Sequence, residues 1–169
     1  MIEAVLRFLE SIFGTSGLSK CITTLIISMI PVVELRGAIP IGAGVLSLPV
    51  YTAAITSMIG NMLPVPFIIV FIRTIFVWMR KKSARLGRLA DRLEKNAKTK
   101  GARLYRSELI GLIIFTAIPL PGTGAWTAAL IAAILNIRLK IALPAIGIGV
   151  VVAGVLVSGI TYGFGALAG

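Results

Sequence analysis

The sequence predicts an all-α integral membrane protein: an inverted repeat of two re-entrant helical hairpins facing each other, each followed by a transmembrane helix, plus an N-terminal amphipathic helix. Three observations lead there. Of the 169 residues, 57% are hydrophobic and only 14% charged, with a mean hydropathy of +1.01. Soluble domains carry about 25% charged and about 45–50% apolar residues, so the apolar excess is more than one water-soluble core could hide. The charge-free runs are long: 36 residues from Gly37 to Ile72, and 29 each in Leu109–Ile137 and Ile141–Gly169. A spanning helix needs roughly 20 apolar residues, so the first run must turn. The two halves also repeat one pattern of interrupted apolar segments, developed below.

The first element is residues 1–20. Ile2, Val5, Phe8, Leu9, Ile12 and Phe13 recur at helical spacing with Glu3, Arg7 and Glu10 between them. That predicts an interfacial amphipathic helix, too short and too charged to span, ended by Gly14 to Gly17. Glu3 and Glu10 stand where a signal peptide has a basic segment.

Residues 21–79 form the first hairpin and span. Here Ser28-Met29-Ile30-Pro31 leads through Glu34-Leu35-Arg36-Gly37-Ala38-Ile39-Pro40 into the glycine-rich Ile41–Val45, and then into the apolar Tyr51–Val77. Residues 80–108 follow as a basic loop holding eleven of the seventeen basic residues. A basic cluster between apolar runs marks the cytoplasmic side, and this placement argues against a nucleic-acid partner. The Leu86, Leu89, Leu93 and Ala97 stripe and the Asp91–Lys95 and Glu94–Lys98 pairs predict helix in this loop. Beyond setting topology, its charge would favour anionic lipid headgroups.

Residues 109–169 repeat the first design. Thr116-Ala117-Ile118-Pro119-Leu120-Pro121-Gly122-Thr123-Gly124-Ala125-Trp126-Thr127 is again an Ile-Pro, a Gly/Pro-rich break and a further apolar stretch, followed by Ile141–Leu167. Paired interrupted segments in corresponding positions point to an inverted-repeat transport site. If Leu109–Ile137 turns back rather than crossing, Arg138 and Lys140 remain on the basic side. Both termini then lie outside, and the whole chain reads as one membrane domain.

Glu34-Leu35-Arg36-Gly37-Ala38-Ile39-Pro40, Gly60-Asn61 with Pro64 and Pro66, and Ile118 to Trp126 resemble the prokaryotic putative small multi-drug export protein family. The resemblance runs over nearly the whole chain. That family is distantly similar to DedA-like membrane proteins, for which facing re-entrant hairpins and flipping of undecaprenyl-phosphate-type lipids are implied. The DedA-like pattern places acidic residues in the first hairpin and arginines in the second. Glu34 and Arg36 fit the first, whereas Pro119 to Trp126 holds neither Arg nor carboxylate.

The candidate substrate-binding or proton-coupling residues follow from cost. An ionisable group at membrane depth is expensive and marks function by default. Glu34 alone among the six acidic residues lies in an apolar, hairpin-forming segment. It is a candidate proton carrier, or else it pins Arg36 at a bent tip. Arg36 offers a planar fork to an anionic headgroup. Arg73 could do likewise, but its position before Arg80 favours snorkelling to the cytoplasmic interface.

Gly122-Thr123-Gly124, and likewise Gly37, would leave backbone N–H groups open to an anion at a half-helix start. Pro40, Pro119 and Pro121 shape the breaks. Asn61 and Thr123 are expected to be buried and hydrogen-bonded, and Trp126 to anchor at the interface or wall a cavity. The Ala128, Ala132 and Ala133 stripe reads as helix packing.

No histidine, cysteine pair, phosphate loop or carboxylate cluster supports an enzyme, a metal or a cofactor. The sequence thus points to a transporter in a prokaryotic cell membrane, driven by a proton or ion gradient. Its expected partners are membrane lipids and either a lipid-phosphate or a small-molecule substrate. The alternatives are export of small cationic compounds, with Glu34 as counter-ion, and a non-transporting scaffold. The small size is compatible with a homodimer.

Overall fold

The computed structural model of the chain describes residues 16–82, 87–88, 91–92, 108–120 and 122–168. Among them all regular structure is helical. The helix expected over residues 1–13, the whole Leu86, Leu89, Leu93 and Ala97 stripe of the basic loop, and Pro121 lie outside the described residues. The described residues gather into two compact units: one from Met1–Leu63 and Val150–Gly169, the other from Pro64–Gly149.

In the first unit, α1 runs from Gly17 to Ser28. Ser16 caps it, its hydroxyl accepting from the Ser19 N–H at 3.3 Å. The helix stops before Pro31, whose missing N–H and bulky ring cannot continue it. Residues Met29 to Val33 make a tight turn, and α2 follows from Glu34 to Pro40.

The glycine-rich Ile41–Val45, expected as a break, instead prolongs α2 as a π-helical turn. Pro40 gives the cause. With no N–H, it cannot make the usual helical bond four residues back, and the ladder re-forms wider. The Leu46 N–H then reaches the Ile41 carbonyl at 3.0 Å. Ser47, at φ 55°, swings the chain into α3, Val50–Met62.

Small residues let α1 and α3 meet at backbone distance. A methyl on Gly60 would collide with the Ser28 hydroxyl and the Leu25 carbonyl, and one on Gly42 would lie 3.0 Å from the Thr24 side chain and the Ala53 Cβ. The α1 hydroxyls are turned back onto their own helix: Thr24 donates to the Lys20 carbonyl at 2.8 Å and Ser28 to that of Leu25 at 2.7 Å. Ile27, Ala38, Leu46, Leu48 and Ala53 form the apolar core between these elements.

In the second unit, α4 is Pro64–Lys82, α5 Glu108–Ala117 and α6 Ala125–Ile134. Val65 and Ile69 of α4 are fully buried, as are Ala125, Ala128, Ala129 and Ala132 of α6. α6 packs along α4 through this alanine face, which accounts for the stripe by packing. The end of α6 is a Schellman motif. Asn136 adopts φ 58°, with Ile137 N–H bonded to the Ala132 carbonyl at 2.9 Å and Asn136 N–H to that of Ala133 at 3.2 Å.

α7, Leu139–Ala168, runs on through both units. In the second unit a methyl on its Gly149 would lie 2.5 Å from Thr116 Cβ, so α5 and α7 also touch at a glycine.

Tyr51–Val77, read from sequence as one span, is divided at Leu63, just before Pro64. Val50–Lys82 and Leu139–Gly163 are nonetheless long and apolar enough to cross a membrane, with mean hydropathies of 2.1 and 2.4. Only 11% of the most apolar stretch of the first is buried in the protein, and 44% of the second. A core helix of a soluble protein would be mostly buried. Instead Phe67, Val70, Phe71 and Val77 on the first, and Val151, Val155 and Ile160 on the second, face outward.

Candidate functional site

The turn after α1 brings the first pair of candidates together. Glu34 opens α2 at φ 47°, a left-handed conformation that L-residues with a Cβ rarely take. Its N–H donates to the Ile30 carbonyl at 2.9 Å, closing the turn, so the bend and the carboxylate occupy one residue. On a straight helix, side chains two apart do not face each other. The left-handed pivot removes that restriction, and Arg36 Nη2 stands 4.0 Å from Glu34 Oε2. The two are unequally sheltered: side-chain exposure is 6% for Glu34 and 20% for Arg36.

Gly37 differs from expectation. Its N–H is not open to a ligand but donates to the Val33 carbonyl at 3.0 Å, one turn inside the helix. A methyl at Gly37 would collide with the Val33 side chain, so close contact explains this glycine. Pro40 is exposed and acts on the backbone, through the π-helical turn.

Asn61 is fully buried on α3, yet neither Oδ1 nor Nδ2 has a hydrogen-bond partner. The expected structural hydrogen bonding is absent there. Ser57, one turn earlier on the same face, is also fully buried with its Oγ unpartnered. The sequence reading passed over Ser57, although its i,i+4 spacing from Asn61 was visible.

Arg73 departs from the snorkelling expectation. From α4 its Nη2 donates to the Ile137 carbonyl, just past the end of α6. A guanidinium there meets a terminal carbonyl and the negative end of the helix dipole. Arg73 is therefore a clamp between α4 and α6. Nothing in its spacing from Arg80 signals this, because the contact joins residues far apart in sequence. At the C-terminal end of α4, Lys82 Nζ lies 4.8 Å from the centre of the Trp78 ring, a cation–π contact.

The second break, between α5 and α6, is stitched by one hydroxyl. Thr123 Oγ1 lies 2.7 Å from the Ile118 carbonyl and 2.8 Å from that of Leu120, and accepts from the Leu120 N–H at 3.3 Å. Half-buried Pro119 sits inside this loop. Gly122 at φ 84° and Gly124 at φ 132° supply positive backbone angles, which glycine alone adopts at little cost. Gly124 is the N-cap residue of α6, with no side-chain cap, and Trp126 lies half-buried in its first turn. Among the described residues no three His, Cys, Asp or Glu side chains stand together as a metal site.

The family of the putative small multi-drug export proteins has a sequence model that matches residues 34–156. The chain belongs to this family. The match opens on Glu34 and takes in the π-helical turn, the basic loop and the second break. No curated protein and no solved structure matches the chain. Family membership and the two long, outward-facing apolar helices together make this a membrane protein.

Proposed function

We propose that the chain is a membrane transporter built as an inverted repeat of two re-entrant hairpins, with Glu34 and Arg36 as the groups that meet the substrate and respond to protons. The observation that carries this is Glu34: an ionisable group, buried, on a left-handed pivot, paired with Arg36. Backbone strain of this kind costs about 1–3 kcal/mol and gathers at functional sites. Re-entry is supported by length. α1 at 12 residues and α5 and α6 at 10 each extend about 15–18 Å, roughly half of a bilayer core. The designation of the family as exporters supports transport in general.

For the substrate, the more open of the two charges is that of Arg36. An approaching ligand meets a guanidinium first, which favours an anionic amphiphile such as a lipid-carrier phosphate of the undecaprenyl phosphate type. The family designation favours a second reading, export of small cationic compounds with Glu34 as counter-ion. Flux through purified protein in vesicles separates them. Polyprenyl phosphate should move and a lipophilic cationic dye should not, with loss on Arg36→Gln. Movement of the dye alone would establish the second reading, and movement of neither would leave a scaffold.

A further inference from the structure

The proposed site leaves Ser57 and Asn61 unexplained. Asn61 presents a carbonyl oxygen and an amide, Ser57 a hydroxyl; all three polar groups are buried and unpartnered, one turn apart on one face of α3. Residues at this spacing have Cβ atoms about 5–6 Å apart. A third oxygen belongs to the same turn. Pro64 has no N–H, so the Gly60 carbonyl lacks the donor that a continuous helix would supply. Natural proteins rarely leave several buried oxygens together without a partner.

We infer that Asn61 Oδ1, Ser57 Oγ and the Gly60 carbonyl form a binding site for a desolvated monovalent cation, sodium first. The donor set is all oxygen, which selects hard cations over transition metals. It holds no carboxylate, and a divalent ion, whose protein sites rely on carboxylates, would stay uncompensated there. A helix interrupted next to buried polar side chains is also how membrane proteins present backbone carbonyls to sodium. Neither Glu34 nor Arg36 is part of this site, so it stands whichever substrate that pair handles.

The test is direct sodium binding to the intact protein in detergent, by uptake of radiolabelled sodium, together with its melting temperature in sodium, potassium or choline chloride at equal ionic strength. Saturable sodium binding and a melting-temperature rise specific to sodium are expected. Ser57→Ala, which keeps a good helix former and removes one oxygen, should weaken both, and Asn61→Ala should abolish both. If Asn61→Ala does not fold, wild type and Ser57→Ala decide alone. No sodium uptake by the wild-type protein, equal melting shifts in choline, or unchanged binding in Ser57→Ala would overturn the site and leave these oxygens to a bound water.

Discussion

At Glu34 a strained backbone angle, a buried carboxylate and an ion pair coincide in one residue, and each bears on what a substitution should do. Because Arg36 keeps a fifth of its side chain exposed while Glu34 is nearly enclosed, the two halves of the pair are not equivalent. Removing Glu34 leaves a cation that can reach water or headgroups, so Glu34→Gln should cost about 1 kcal/mol or less. Removing Arg36 takes a guanidinium from beside a nearly enclosed carboxylate, and Arg36→Gln should cost more, about 3–5 kcal/mol. Denaturant unfolding in detergent measures both, and equal losses would mean that the pair is equally solvated. The glycines of the second break act differently. Space around Gly122 is open, so Gly122→Ala should cost only the left-handed penalty, about 1–2 kcal/mol. Gly124→Ala, at an angle closed to other residues, should cost about 1–3 kcal/mol. Sequence reasoning singled out both for ligand access, whereas their backbone angles already require glycine.

Among the elements, the two helix–break–helix units were legible because Pro31 and the Pro119–Gly124 stretch interrupt otherwise apolar runs. What replaced the expected Gly-rich break at Ile41–Val45 was not legible. A proline followed by glycines reads as a turn, whereas here the backbone bonds re-form as a π-helical turn and Gly42 packs closely against Thr24 and Ala53. The division at Leu63 was foreshadowed by Pro64 and Pro66 but outweighed by the length of the apolar run. The Arg73 clamp had no local signal at all. It should nevertheless be measurable: Arg73→Met keeps the apolar stem but drops the bond to the Ile137 carbonyl, costing about 1.5–3 kcal/mol. A smaller loss than in Arg73→Ala would separate the bond from the packing. At the α1–α3 contact, Gly60→Ala should cost about 1–3 kcal/mol by overpacking, because the colliding atoms include a backbone carbonyl. A neutral result in thermal melts would mean that α1 is free to shift.

At the scale of the whole molecule, composition and charge-free runs were enough to announce a helical membrane protein, since no arrangement in water hides so many outward apolar side chains. The sidedness of the chain is a separate matter, decided by a few charges. Cysteines placed at Leu139 and within 80–108, in a Cys21→Ser background, should both be labelled from the cytoplasmic face; labelling of position 139 only from outside would make the second hairpin a full crossing. The candidate site was legible as residue types, with the Glu34–Arg36 pair at a bent tip as one of two alternatives; the left-handed angle at Glu34 that makes the bend is encoded in no pattern. The measurement that bears most directly on transport through this pair is the rate of substrate movement in proteoliposomes across pH, for wild type, Glu34→Gln and the Glu34→Gln, Arg36→Gln double variant. Wild type should move substrate with a rate that depends on pH. Glu34→Gln should be slow and flat across pH at nearly unchanged melting temperature, and the double variant should stay inactive. Recovery of the wild-type rate and stability in the double variant would contradict the account and reduce Glu34 to the pin of its arginine.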